Sequence, residues 1–274
     1  MHDITAEFSV TELAAPVELR VIPRLVVGGK TDIGRVREVN EDKFEFYIPN
    51  DEAQLASRGS VFVVCDGMGG HAAGQIASET SAKTFIDAYY QHIGSDPEEA
   101  ARSAIHVAQR FILNIQATIP QRRGMGTTLE AVAICQDKAI IVHVGDSRIY
   151  RVRDAKLERV THDHSWVQEM VDGGIMSEEA AELHQNRNVL TRCIGHEQDF
   201  RPDVFTLDLV PGDTFLLCSD GVTKCASEER ISAIMSGGAP SQQAWDLIQV
   251  AMMGGGHDNA TALIVHISAI DAVT

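Results

Sequence analysis

The sequence is organised around one stretch, Val61–His71, which reads VFVVCDGMGGH. Its first five residues are apolar and typical of a buried strand, and they end at Asp66. Glycines follow at positions 67, 69 and 70, after which a helix-like pattern begins. Glycine leaves the backbone free for tight turns and close approaches, so a carboxylate at the end of such a strand predicts a site for an ion or a phosphate.

Length and composition indicate one ordinary globular domain. The chain has 274 residues, of which 44% are hydrophobic and 23% charged, so it can bury a core that needs no disulfide support. We expect residues 25–270 to form a single domain and residues 1–24 to be an N-terminal extension. The five cysteines are odd in number and no pair has metal-ligand spacing, which favours a reducing compartment.

The net charge of −16 limits the partners. Nucleic acids and anionic membrane surfaces are bound by basic faces, so neither is expected as a partner. No basic N-terminal region precedes an apolar core, and no run approaches the ~18 apolar residues of a membrane helix, so we expect a cytoplasmic location. Acidity of this size has two interpretations, a solvated surface or a set of carboxylates that awaits cations.

The order of apolar patterns predicts antiparallel sheets covered by helices. Early strands are followed by two amphipathic helices, the second of which opens at Ser95-Asp96-Pro97. More strands follow, then a segment of different character that we interpret as a flap at about 163–190. Two further strands, two helices and a final strand complete the chain. Gly28-Gly29-Lys30 is predicted as a turn, 49–60 as a loop, and Ser241 as a helix cap. This order lacks the strict alternation of a parallel α/β sheet.

Aspartates recur at the ends of the predicted strands. Four apolar runs have Asp66, Asp146, Asp220 or Asp258 at one end, and Glu41-Asp42 precedes a fifth strand. A single aspartate of this kind is a turn residue. Several such carboxylates brought together would repel one another strongly unless cations lay among them.

Oxygen ligands without cysteine or histidine partners select hard ions such as Mg²⁺ or Mn²⁺. More carboxylates are present than one Mg²⁺ requires, and two ions bridged by a carboxylate and a water would use them all. Such a pair activates the water for attack on phosphorus, and an arginine, here Arg37, is expected to hold the phosphate oxygens. The spacing alone fits either a two-metal phosphohydrolase or a scatter of turn aspartates.

The motifs resemble, in order, those of the metal-dependent serine/threonine protein phosphatases of type 2C (PPM), in the spelling of the bacterial branch. The similarity runs from about residue 25 to 268, and its specificity lies in the order, because each motif alone is weak. The motifs are Gly34-x-x-Arg37-x-x-Asn40-Glu41-Asp42, Asp66-Gly67-Met68-Gly69-Gly70-His71, Gly126-Thr127-Thr128, Gly145-Asp146-Ser147-Arg148, Asp163-His164-Ser165, Leu190-Thr191-Arg192-x-x-Gly195, Ser219-Asp220-Gly221 and His257-Asp258-Asn259.

The resemblance implies an α+β fold, a four-layer α-β-β-α sandwich of two antiparallel sheets flanked by helix pairs. It implies two Mn²⁺ or Mg²⁺ ions per active site, with a third, weaker ion as a further expectation. The residues implied as metal ligands are Asp42, Asp66 as the bridge, Gly67 through its carbonyl, Asp220, Asp258 and, for the third ion together with Asp220, Asp146.

The resemblance also implies roles outside the metal ligands. Arg37 matches the phosphate-binding arginine, Glu41 would act through water, and the flap would shape substrate choice. The expected substrates are phosphoserine and phosphothreonine in proteins, the expected partner is a serine/threonine kinase or its targets, and a monomer is expected.

Alternatives stay open for single residues. Glu41 fits a solvated surface, Arg37 fits a pair with a neighbouring carboxylate, and Asp146 fits a plain turn. Met68 stands where some members of this family carry a histidine, so His71 is a candidate general acid that equally fits the start of a helix. Two rival functions also remain, a phosphatase that forms an aspartyl-phosphate and a non-catalytic binding module with the same fold.

Overall fold

The computed structural model describes residues 17–69, 72–196 and 200–273. Within these ranges the chain forms eleven strands and eight α-helices, with a 3-10 turn at Pro120–Arg122. The strands are β1 (Val21–Asp32), β2 (Asp42–Tyr47), β3 (Ser60–Met68), β4 (Gly126–Thr127), β5 (Leu129–Cys135), β6 (Lys138–Val144), β7 (Arg148–Arg153), β8 (Lys156–Arg159), β9 (Asp203–Asp208), β10 (Thr214–Cys218) and β11 (Ala260–Ala272). The helices are α1 (Glu52–Ser57), α2 (Ala72–Gln91), α3 (Pro97–Thr118), α4 (Trp166–Asp172), α5 (Glu178–Glu182), α6 (Asp220–Thr223), α7 (Glu228–Met235) and α8 (Pro240–Met253).

Two antiparallel sheets form the centre of the fold. The first has the strand order β1-β11-β10-β7-β8, and the second has the order β2-β3-β5-β6-β9, with β4 added beside β3. Buried side chains of both sheets meet in a common apolar layer, for example Phe62 and Ile141 from the second sheet with Phe215 and Val265 from the first. The alternation of side chains along each strand leaves the opposite faces apolar as well, so both need a cover.

Helices cover both outer faces. Helices α2 and α3 pack on the second sheet, where Phe85 and Ile105 are buried among strand residues. Helices α7 and α8 pack on the first sheet, where Leu247 and Ile248 are fully buried. The predicted four-layer α-β-β-α sandwich is therefore confirmed.

Local signals explain how several helices begin. Asp96 accepts a hydrogen bond from the Glu98 backbone N–H at 2.9 Å and Pro97 takes the first helical position, as the sequence predicts for α3. The prediction for 49–60 was incomplete, because α1 lies inside this loop and is capped by Asp51. Ser241 is not the cap of α8, since Ala239 precedes the helix and Pro240 begins it.

The predicted turn at Gly28-Gly29-Lys30 was wrong, because β1 runs straight through it. Both glycines serve packing instead. A Cβ at Gly28 would lie 2.3 Å from the backbone of Pro240 at the start of α8, and one at Gly29 would lie 3.0 Å from the Phe44 ring. Strand β1 is an edge strand, which tolerates Pro23 because an edge has N–H groups without partners. It begins at Val21, and residues 1–16 lie outside the described residues.

Candidate active site

Two of the predicted carboxylates lie side by side at one end of the second sheet. Strand β2 begins at Asp42, and its antiparallel register with β3 places Asp42 directly opposite Asp66. Asp42 is buried and Asp66 is half-buried. Directly opposed side chains of like charge destabilise a sheet, so this pair indicates a site that a cation would complete.

Threonines of the Gly126-Thr127-Thr128 motif hold Asp66 by its backbone. The Asp66 carbonyl accepts hydrogen bonds from Thr127 Oγ1 at 2.8 Å and from the Thr128 N–H at 2.9 Å. The Asp66 N–H donates to Thr128 Oγ1 at 3.0 Å. These bonds fix the position of the Asp66 backbone, from which its carboxylate extends at the end of the strand.

The close approach of three segments requires glycine at position 67. The Gly67 N–H donates to the Glu41 carbonyl at 3.1 Å, and a Cβ at Gly67 would lie 2.1 Å from the carbonyl oxygen of Gly74 in α2. A side chain at this position would push the end of β3 away from α2 and from Glu41.

Ser219 joins the two sheets at the site. Its Oγ donates to Asp42 Oδ2 at 2.7 Å, and it immediately precedes α6, whose first residue is Asp220. Burial raises the pKa of Asp42 to about 7, the bond from Ser219 opposes this, and repulsion from Asp220 and Asp258 adds to it. Asp220 therefore enters the same acidic cluster from the opposite sheet.

Asn259 fixes the loop that carries Arg37. Its Oδ1 accepts a hydrogen bond from the Glu41 N–H at 2.8 Å, and its Nδ2 donates to the carbonyls of Ile33 at 2.9 Å and Val39 at 3.1 Å. The preceding residue, Asp258, forms an ion pair with Arg37 at 2.9 Å. The neighbouring-carboxylate alternative for Arg37 is thus what this structure shows.

Electrostatics place the remaining aspartates in the same cluster. Burial raises the pKa of Asp66 well above its usual range, followed by repulsion from Asp42, Asp220, Asp146 and Asp258 in that order. Burial likewise raises the pKa of Asp146, and repulsion from Asp220 adds to it. Asp42, Asp146, Asp220 and Asp258 therefore all lie within electrostatic range of Asp66.

Two oxygens of the cluster fit a cation. Asp42 Oδ1 and Asp220 Oδ1 are buried and have no hydrogen-bond partner. Across residues 17–69, 72–196 and 200–273, however, no three carboxylate, histidine or cysteine side chains converge closely enough to hold a metal ion as they stand. Mutual repulsion keeps bare carboxylates apart, and Arg37 and Lys224 hold Asp258 and Asp220. The donor set, oxygen only and partly orphaned, suits a hard divalent ion.

Sequence reasoning missed two features of this region. Lys224 forms an ion pair with Asp220 four residues earlier, a spacing that on a helix usually marks a surface pair. Behind Thr128, Glu130 and His143 form a fully buried pair across β5 and β6 with 3.1 Å between Glu130 Oε1 and His143 Nδ1. Their alternate positions in apolar strands could have flagged both as buried polar residues.

The flap lies next to this end of the sandwich. Helices α4 and α5 form it, and the Trp166 ring packs at a tilt against the His184 ring with 4.9 Å between ring centroids. The flap is joined to the loop before β7, because the His164 N–H donates to the Gly145 carbonyl at 2.7 Å. His71, the candidate general acid, lies outside the described residues.

Comparison with known proteins identifies the family. The family model described as Protein phosphatase 2C matches residues 35–244. Protein phosphatase PhpP of Streptococcus pneumoniae is 35% identical over 245 residues, which cover 88% of this chain and 97% of that protein. Serine/threonine phosphatase stp of Listeria monocytogenes is 35% identical over 241 residues, which cover 86% of this chain and 93% of that protein.

Solved structures of serine/threonine phosphatases have the same fold as this chain. The serine/threonine phosphatase PstP/Ppp of Mycobacterium tuberculosis superposes with a TM-score of 0.78 at 33% identity and covers 89% of this chain and 98% of its own. A PstP catalytic domain in complex with two manganese ions superposes with a TM-score of 0.75 at 31% identity, covering 92% and 100%. No helix in the described part of the chain is long and apolar enough to cross a membrane. The chain therefore belongs to the bacterial branch of the protein phosphatase 2C family and is a metal-dependent serine/threonine protein phosphatase.

Proposed function

We propose that the acidic cluster is the metal centre of this phosphatase and that it holds two Mn²⁺ or Mg²⁺ ions. Asp66 would be a ligand of both ions, and the Gly67 carbonyl would supply a further ligand. Asp42, Asp220 and Asp258 would be the other direct ligands. The manganese-bound PstP relative supports Mn²⁺ as the first ion to test.

One observation carries this proposal. Asp42 lies opposite Asp66 on adjacent strands, and Ser219 ties Asp42 to the start of α6 at Asp220. Carboxylates are rarely buried together without a compensating charge, because each raises the pKa of the others. A fold that keeps these residues within range of one another is therefore best explained by the cations that it binds.

The bound ions would place positive charge on the phosphate and activate a water molecule for attack on phosphorus. Hydrogen bonds within the chain position the proposed ligands and the phosphate-binding loop. Thr127 and Thr128 fix the backbone of Asp66, and Asn259 fixes the loop that carries Arg37 and Glu41. Glu41 acts through water in this proposal.

Arg37 holds the phosphate of the substrate. Its side chain is 47% exposed, so a substrate can reach it, and it already contacts a carboxylate, which resembles a phosphate in charge and shape. Arg37 changes partners in the proposal, from Asp258 to two phosphate oxygens. Its bidentate geometry then orients phosphorus toward the attacking water.

The proposal also covers a third ion site, the substrates, the cellular location and the extent of the catalytic domain. Asp146 and Asp220 contribute to a third, weaker ion site. The phosphoproteins that the enzyme hydrolyses are products or components of serine/threonine kinase signalling, and the enzyme acts as a cytoplasmic monomer. The catalytic domain expected at residues 25–270 extends to Val21 and Ala272, because these residues pair in β1 and β11, and the N-terminal extension expected at 1–24 is limited to the residues before Val21. The flap at about 163–190 influences which phosphoprotein is accepted.

The test is Mn²⁺-dependent release of phosphate from a phosphothreonine peptide. Asp66→Asn removes the shared carboxylate charge with little change in shape, and we expect activity to fall by about a hundredfold or more. Asp208→Asn is the matched control, because Asp208 is exposed at the end of β9, and it should leave activity unchanged. Wild-type activity in Asp66→Asn, or activity that survives chelation, contradicts the proposal.

A further inference from the structure

Lys224 places a permanent positive charge inside the acidic cluster. Its Nζ forms an ion pair with Asp220 Oδ2, and the two side chains are only 35% and 14% exposed. Lys224 directly follows α6, and its N–H donates to the Asp220 carbonyl at 2.8 Å, so this helical turn fixes the backbones that carry both charges.

The influence of Lys224 extends beyond Asp220. Its ammonium contacts Asp220 and is also attracted by Asp146 and Asp258. In return, Lys224 is the main group that opposes the raised pKa of Asp146. Lys224 therefore contacts Asp220 and lies within electrostatic range of Asp146, the two carboxylates that the proposed third ion would need.

We propose that Lys224 takes the place of most of the third ion's charge, so that this chain binds two divalent ions firmly and a third one only poorly. Like charges a few ångströms apart repel strongly, even at the dielectric of a protein surface. An ammonium paired with Asp220 therefore disfavours an additional cation between Asp220 and Asp146. The inference rests on the proposed ligand set and deepens it.

An exposed ion pair on another helix provides a comparison for the Lys224–Asp220 pair. Lys83 pairs with Glu79 at the same four-residue spacing on α2, at 2.6 Å, but these side chains are 56% and 42% exposed and lie away from the acidic cluster. A pair of this kind contributes little and affects no binding site. The same substitution at Lys83 therefore reports what loss of a lysine does by itself.

The experiment counts Mn²⁺ bound to the chelator-treated, dialysed full-length chain, by calorimetry and by the EPR signal of free Mn²⁺. Lys224→Met removes the charge at nearly constant length, and we expect the weakest Mn²⁺ to bind about tenfold tighter or more than in the wild type. Lys224→Arg keeps the charge and should bind as the wild type does. Lys83→Met should also match the wild type.

The outcomes separate this inference from the proposed function. Two firmly bound ions in every variant, with no gain in Lys224→Met, overturn the role of Lys224 and leave the metal centre intact. Absence of Mn²⁺ binding by the wild type overturns both. Circular dichroism accompanies each titration, and if Lys224→Met does not fold, Lys224→Gln takes its place with the same expectation.

Discussion

The buried pair Glu130–His143 allows a prediction with a definite sign. The His143 Nε2–H donates to the His162 carbonyl at 2.8 Å, so Nδ1 is left facing Glu130 Oε1. Thr128 Oγ1 donates to Glu130 Oε2 at 3.1 Å. Burial raises the pKa of Glu130 well above its usual range and lowers the pKa of His143 to about 4. Both shifts favour the uncharged forms, so we expect the pair to be neutral, with the Glu130 carboxyl donating to Nδ1.

A neutral buried glutamic acid makes stability depend on pH. In the unfolded chain Glu130 ionises near its ordinary pKa of 4.5, whereas in the folded chain it keeps its proton. Its contribution is thus fully present below pH 4.5 and is lost as pH rises, by about 1.4 kcal/mol per pH unit and up to about 3 kcal/mol at pH 7. Glu130→Gln removes this loss, because an amide can donate to Nδ1 and accept from Thr128 without titrating.

The assay is urea unfolding of wild type and Glu130→Gln in the presence of chelator, followed by circular dichroism at several pH values. We expect the difference in unfolding free energy to be near zero at about pH 4.5 and to favour the variant by up to about 3 kcal/mol at about pH 7. His143 and the charged groups around the pair, Asp163, Asp203 and Arg159, are present in both chains, so their titrations cancel in the difference.

A matched substitution isolates the effect of burial. Glu182 is exposed on α5, and Glu182→Gln should leave the pH dependence of stability unchanged. The reasoning is refuted if Glu130→Gln loses about 3–5 kcal/mol, because that result means an ion pair in which an imidazolium has lost its partner.

Three further predictions concern the site itself. Arg37→Ala should raise KM for a phosphothreonine peptide about tenfold or more, since a charged contact to phosphate is lost, whereas Arg35→Ala should match wild type in the same steady-state assay. Gly67→Ala should lower the melting temperature measurably, because the added Cβ would lie 2.1 Å from the Gly74 carbonyl oxygen. Gly237→Ala should leave the melting temperature unchanged, because no atom lies within 4 Å of the added Cβ. Equal melting temperatures for the two variants refute this prediction. Burial raises the pKa of Asp42 to about 7, so under chelator Asp42→Asn should gain stability relative to wild type as pH rises from about 4 to 7, and a constant difference in unfolding free energy contradicts this.

Much of the architecture follows from local patterns in the sequence. The apolar run that ends at Asp66 is a central strand, and the Asp96–Pro97 start of α3 is where the capping signal predicts it. These signals succeed because they depend on neighbouring residues only. The gathering of the aspartates was predicted from their repeated place at strand ends, and the register of Asp42 with Asp66 agrees with it.

The features that were missed depend on contacts distant in sequence. Gly28 and Gly29 have the composition of a turn, but the start of α8 and the Phe44 ring require small residues there. Likewise, the link from Asp42 to Ser219 spans 177 residues and joins two sheets. Lys224 was missed for a different reason, because its four-residue spacing from Asp220 is common on exposed helices and only burial gives it meaning.

The carboxylates at this end of the sandwich are proposed to form the metal centre. The most direct measurement is a crystal structure of the Mn²⁺-loaded protein with anomalous scattering data collected at the manganese edge. We expect two strong anomalous peaks within ligand distance of Asp66, about 2–2.5 Å, with Asp42, Asp220 and Asp258 turned toward them. Anomalous peaks that avoid Asp66, or a saturated crystal that shows none, would contradict it.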